Sequence, residues 1–244
     1  MNSIIARIKS TNKYKNNTIN KYIELLKMIS KYCYYADIVE YDKIAKYKKL
    51  PKDDVETQTI KPENIRKILE YIKTLDLKNN CNLRNVLFIH LLKDTGARYN
   101  EIVHIAIDNL KLENNQIYLV FTKTKRPRYV NIMDDTKELI KRYIRQANIK
   151  DYLFINFESF KIVIKAEMYA FIKRIKDKLK IEQSISPHKW RHTLATELLR
   201  NNLNIEQVRK ILGHTTLTTT QKYLHLNTKE DNKEILEIMN KIKY

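Results

Sequence analysis

Glycine is nearly missing from this chain: it occurs twice in 244 residues, at positions 96 and 213. Two glycines at those positions make no G-x-x-x-x-G-K loop, so a nucleotide-binding P-loop for ATP is excluded. Cysteine is equally scarce, with only Cys33 and Cys81. That pair forms no metal-ligand or disulfide pattern and fits a reducing, cytoplasmic setting. No run of the roughly 18 apolar residues that read as a membrane span occurs. The opening MNSIIARIKS is too short and too charged for a secretory signal. Acidic side chains are outnumbered, with 28 Asp and Glu against 47 Lys and Arg, a formal net charge of +19 and a pI near 9.7. An excess of that size implies a polyanionic partner, most simply nucleic acid. Lys, Asn, Ile and Tyr are abundant throughout, so a solvated lysine-rich surface is the competing explanation of the charge.

The chain is rich in helix signals. Ile19, Tyr22, Ile23, Leu26 and Ile29 recur at helical spacing after Asn17-Thr18, and a weaker helix is expected over 37–47. Residues 1–53 therefore read as a short, strongly basic helical segment, and 51–59 as a polar linker. Residues 58–244 read as the main domain. There Pro62 opens a helix with Ile65, Ile68, Leu69 and Ile72 on one face. The nearly continuous apolar run 86–92 predicts a buried helix. Residues 117–121 and 128–132 are β-rich and flank the basic tip Thr122-Lys123-Thr124-Lys125-Arg126-Pro127, which reads as a hairpin. Arg126 and Arg128 are expected to touch a phosphate backbone. A helix around Leu139, Ile140, Tyr143 and Ile144, a short buried piece at 152–155 and a long basic helix over 160–180 follow. Ile235, Ile238, Met239 and Ile242 predict a last helix over 228–244. The expected fold class is mainly α with a small antiparallel β-hairpin or sheet (α+β).

The stretch 186–223, SPHKWRHTLATELLRNNLNIEQVRKILGHTTLTTTQKY, organises the rest. Ser186-Pro187 reads as a helix start, which puts His188 and Arg191 in the opening turns on one face. Asn204 reads as a second N-cap, and Gly213 as the stop of that helix, directly before His214. A polar run then leads to Tyr223. Two His, one Arg and one Tyr aimed at a shared point suit the gripping of a phosphate while a phenol attacks it. His192 and His225 read as packing residues or as support for the site residues, and Trp190 as core.

These residues resemble the C-terminal signature of the tyrosine recombinases (phage-integrase and Xer-like site-specific recombinases): H-x-x-R, then L-G-H, then a Tyr nine residues past that His. His188, Arg191, Leu212-Gly213-His214 and Tyr223 stand in that order and spacing. Upstream, Thr95-Gly96-Ala97-Arg98-Tyr99-Asn100-Glu101 resembles the family's first box, T-G-x-R-x-x-E. The resemblance covers about residues 58–226. Residues 1–53 resemble only the last two helices of the family's larger DNA-clasping domain. The resemblance implies the tyrosine recombinase catalytic fold and a DNA strand transferase working on double-stranded DNA. Its catalytic set would be Arg98, Lys123, His188, Arg191, His214 and Tyr223. Tyr223 would be the nucleophile, forming an O-(3′-phospho-DNA)-tyrosine intermediate without ATP, cofactor or metal. Lys123 matches the family's hairpin lysine, with Lys125 as its rival. A homo-oligomer, a tetramer on paired DNA sites, is also implied, with the 228–244 helix docked on a neighbouring protomer. Two alternatives share the scaffold: a type IB topoisomerase-like DNA-relaxing enzyme, and a non-catalytic DNA-binding module.

Overall fold

The computed structural model describes residues 7, 8, 10, 13–42, 44–51, 53, 59–122 and 126–213. The chain divides into two compact units, Met1–Thr57 and Gln58–Tyr244. In the first, helix α1 (Asn16–Tyr35) starts after Lys15, slightly earlier than Asn17-Thr18 suggests. Asp53 accepts the Asn17 amide at 3.0 Å and so ties that start to the first residues of the 51–59 segment. The Asn20 side chain donates to the Leu50 carbonyl and accepts its amide, as a second strand would. Ile19 and Ile23 are buried against Ile8, Tyr47 and Leu50, while Tyr22 and Ile29 stay exposed. The helix expected over 37–47 is not formed among the described residues. Asp37 sits at φ 55°, and the Asp42 carboxylate takes the amides of Ile44 and Ala45 together with the Ser30 hydroxyl. A side chain that satisfies local amides in this way offers the backbone an alternative to a helix.

The second unit is built around α3 (Asn80–Thr95), following α2 (Pro62–Lys73). The Asn79 side chain caps α3 by accepting the Asn82 amide at 3.0 Å. Leu83, Val86, Leu87, Phe88, Ile89, Leu91 and Leu92 are all buried, so this helix is apolar nearly all round because it is the core. The short helix α4 (Tyr99–Val103) comes next, then an antiparallel sheet in the order β1-β2-β3: Leu110–Lys111, Gln116–Leu119 and Arg128–Asn131. Ile117 faces Val130, and Leu119 faces Arg128. The hairpin expected from the sequence is thus present, with a third strand beside it. Helices α5 (Asp134–Ala147), α6 (Lys165–Lys178), α7 (Pro187–Arg200) and α8 (Ile205–Leu212) complete the described part.

Helix α6 begins later than the expected 160. Phe160 is left-handed at φ 53°, and the Asn156 side chain collects the amides of Glu158 and Ser159, so a turn occupies the helix's first predicted stretch. Its lysines are largely exposed, whereas Arg84 on α3 is buried. The Arg84 guanidinium donates to the Ile155 carbonyl at 2.7 Å and pairs with Glu167, a buried charge that the sequence pattern does not announce. Trp190 is 1% exposed, as core. Leu194, Leu198, Leu199, Leu203, Val208 and Leu212 form a second apolar cluster between α7 and α8. No helix of the described residues is long and apolar enough to cross a membrane.

Candidate active site

The first box is a turn dictated by its glycine. The Thr95 hydroxyl donates to the Leu91 carbonyl at 2.6 Å and accepts the Ala97 amide at 3.0 Å, which bends the chain off α3. Gly96 is left-handed at φ 54°, and a Cβ there would lie 3.1 Å from both Leu194 and Leu212. Position 96 therefore needs glycine for its conformation and for the close approach of the second cluster. The chain emerges at Arg98, the N-cap position of α4.

Arg98 is bound to Glu101 twice, through its backbone amide (2.8 Å) and through Nη1 (2.8 Å). Glu101 is 2% exposed and receives a second guanidinium, that of Arg128, at 2.9 and 3.1 Å. Burial alone would raise the Glu101 pKa. The hydrogen bonds and charge of Arg128, with those of Arg98, outweigh it and hold the carboxyl below its usual value. Two guanidinium groups thus share one carboxylate, and this corner of the fold keeps a net positive charge. Arg128 was expected to reach outward to DNA. It is committed inward instead, with Nε donating to the Ile211 carbonyl at 3.1 Å and both terminal nitrogens on Glu101.

Arg191 comes from inside α7 and is 4% exposed. Nη1 donates to the Gly96 carbonyl at 3.1 Å and Nη2 to the Leu212 carbonyl at 2.5 Å. One side chain therefore joins the turn before Arg98 to the end of α8. Carbonyls are neutral, so these two bonds orient the guanidinium without cancelling its charge. His188 lies one turn earlier on α7 and is exposed. Helix α8 has a reciprocal cap, the Asn204 side chain on the Gln207 amide (2.8 Å) and the Gln207 side chain on the Asn204 amide (2.9 Å). It ends at Gly213, φ 65°, where a Cβ would lie 2.8–2.9 Å from the Arg128 side chain. The second glycine is thus also required twice, for its φ and for contact with that guanidinium.

The described part of the site accordingly brings together Arg98, Arg191, and the residue immediately before His214. His188 is one helical turn from Arg191. Lys123, Lys125, His214 and Tyr223 lie outside the described residues, as does the expected 228–244 helix. Reasoning from sequence did not find the inward role of Arg128, nor those of Thr122 and His104. The Thr122 hydroxyl accepts the Arg126 amide at 2.9 Å and donates to its carbonyl at 3.1 Å, closing the neck of the basic loop. His104 stacks on Phe121, ring centroids 4.0 Å apart and 15° from parallel. Among the described residues no group of three or more His, Cys, Asp or Glu is placed to hold a metal ion.

The depressed carboxyl of Glu101 gives a pH test. A lowered folded-state pKa contributes stability that is present above the unfolded value, about 4.3, and fades as pH falls through the folded value. Glu101→Gln should therefore be clearly less stable than wild type at pH 7. The gap should narrow as pH drops below about 4. Urea midpoints measured from pH 7 to pH 3 check this, and a gap independent of pH would show that Glu101 is not ionised in the fold.

The phage integrase family matches residues 58–230 of this chain. A probable integrase/recombinase of Acholeplasma phage L2 is 31% identical over 227 residues, covering 93% of this chain and 76% of that protein. Tyrosine recombinase XerA of Saccharolobus solfataricus is 34% identical over 175 residues, 71% of this chain and 57% of the relative. The chain therefore spans little more than half the length of that relative. Among solved structures, the Tn1549 transposon integrase in complex with circular intermediate DNA superposes with a TM-score of 0.72 at 17% identity, over 98% of this chain and 83% of that one. That likeness is one of fold.

Proposed function

This chain belongs to the phage integrase family, the tyrosine recombinases, and from that premise we propose that it is a site-specific recombinase of double-stranded DNA. The observation that carries the reading is the pair of locked guanidinium groups. Arg98 is fixed by Glu101, and Arg191 by the carbonyls of Gly96 and Leu212, so a positive site is assembled before any substrate arrives. The planar forks of Arg98 and Arg191 suit the two non-bridging oxygens of a phosphodiester.

In this reading Tyr223 attacks the phosphorus in line. Its Oη–P bond forms as the P–O5′ bond breaks, leaving a 3′-phosphotyrosyl link. A free phenol has a pKa near 10, so the attack needs a proton acceptor, and His188 on α7 supplies it. His214, next after the α8 stop, adds a hydrogen bond to the phosphate. Lys123 donates a proton to the departing 5′ oxygen. The fixed guanidinium charge stabilises the transition state, so the step draws on neither ATP nor a metal ion. The bond energy is kept in the phosphotyrosine, and another 5′ hydroxyl reverses the step on a partner strand. Strand exchange needs two sites, so the working species is a homo-oligomer, a tetramer on paired DNA.

Nicked suicide duplexes cut from the DNA flanking its gene test the proposal, in buffer containing EDTA. The full chain should leave a covalent protein–DNA band on a denaturing gel, and should exchange strands between two copies of the site that gives the band. Relaxation of any supercoiled plasmid without such exchange would favour the topoisomerase reading. Specific binding with no covalent band would favour the non-catalytic module.

A further inference from the structure

The β2–β3 ladder ends at the pair Leu119 and Arg128, so the described residues 120–122, 126 and 127 lie past its last cross-strand pair. The described legs on either side lead into the segment that carries Lys123 and Lys125. A general acid works only when held within hydrogen-bonding geometry of its target. The structure supplies what the ladder does not, and it supplies it from one element. We propose that both legs of the hairpin are braced on α4, and that His104, Phe121 and Arg128 are positioning residues that set the loop lysine relative to Arg98. The proposal rests on the reading of that lysine as general acid.

On the outgoing leg, Phe121 lies flat on the His104 ring at 4.0 Å. That ring is fixed in turn by Nδ1, which donates to the Asn100 carbonyl at 2.8 Å. His104 terminates α4. On the returning leg, Arg128 is bonded through both terminal nitrogens to Glu101, inside α4. Between the legs, the Thr122 hydroxyl closes the neck on Arg126. The N-cap residue of the same five-residue helix is Arg98. The two legs that flank the loop and the phosphate-clamping Arg98 thus share one short helix.

The stack is not explained by core packing. Phe121 is 54% exposed and gains little from burial. Its removal should spare the fold, which makes it the right residue to test. Arg128 is not, because its loss would strand the buried carboxylate of Glu101.

The experiment compares full-length Phe121→Ala, His104→Ala and Phe121→Tyr with wild type. Single-turnover cleavage is measured on a suicide duplex with the ordinary 5′ bridging oxygen, and on one with sulfur in that place. Sulfur leaves as a thiolate and needs no proton, so a misplaced acid no longer matters there. Phe121→Ala and His104→Ala should be roughly 10- to 100-fold slower on the oxygen substrate, the scale of a small misplacement. They should match wild type on the sulfur substrate, with unchanged DNA affinity. Phe121→Tyr, which keeps the stack, should match wild type on both. Equal slowing on both substrates would overturn the brace, as would weakened DNA binding with an unchanged saturating rate, since Phe121 would then be a DNA contact. Lys123→Ala and Lys125→Ala run alongside. One of them rescued by sulfur, beside an unrescued Phe121→Ala, overturns the brace alone. Rescue of neither overturns the general acid itself, and the brace with it.

Discussion

Tyr223→Phe will bind the suicide duplex as wild type does and will give no covalent band. The substitution removes a single oxygen, and with it the only atom proposed to bond to phosphorus, so the expected result is complete loss rather than slowing. Neighbouring groups cannot compensate. Arg98 and Arg191 can polarise the phosphate, but neither forms a covalent bond to phosphorus, and attack by water would yield a nick and no protein adduct. The assignment rests on spacing: α8 stops at Gly213, His214 is next, and Tyr223 follows nine residues on. The chain holds 16 tyrosines, so a persisting band would be decisive against this one. Digestion of that adduct to its DNA-linked peptide would then identify the true nucleophile. Affinity is the control: a variant that fails to bind has lost its fold, not its nucleophile.

Much of this arrangement was legible beforehand because it is local. Asn204 at a cap, Gly213 at a stop and Pro62 at a helix start act through bonds within a few residues. The T-G-x-R-x-x-E box likewise puts Glu101 one turn from Arg98, and the two pair. What failed depends on distant partners or on competing local bonds. Arg128 looked like an outward phosphate contact because nothing near it in sequence shows a buried carboxylate 27 residues away. The stretch 37–47 has helical composition, yet Asp42 spends its carboxylate on the Ile44 and Ala45 amides. Strand β1 has two residues, too few to show a period. Arg84 lies just before the apolar run 86–92, whose burial is visible, but its partners, Ile155 and Glu167, are 71 and 83 residues on.

The same distance-dependence makes Arg191 the most consequential of the described side chains. Arg191→Lys should slow formation of the covalent adduct by about 10²- to 10³-fold, the scale of losing one preorganised donor from a developing anion. Charge is retained in this variant, so charge alone is not what it tests. A lysine offers one compact ammonium, which cannot reach the Gly96 carbonyl, the Leu212 carbonyl and a phosphate oxygen together as a planar fork can. Arg191→Ala should be worse, because it also leaves both carbonyls without their donor in a buried site. Each such group costs on the order of 1–3 kcal/mol, so a lower melting temperature should accompany the kinetic loss. DNA affinity should change little in Arg191→Lys, since this side chain is buried and exposed lysines and arginines dominate the long-range attraction. Loss of chemistry and loss of scaffold are separable with a substrate whose scissile phosphate is a methylphosphonate. There a methyl group replaces one non-bridging oxygen and removes its charge. If Arg191 acts by stabilising charge at that oxygen, one stereoisomer of this substrate should react with Arg191→Lys and wild type at similar rates. If the variant is as slow on the neutral substrate as on the ordinary one, Arg191 is a strut between the first box and α8, and the phosphate is held by other groups.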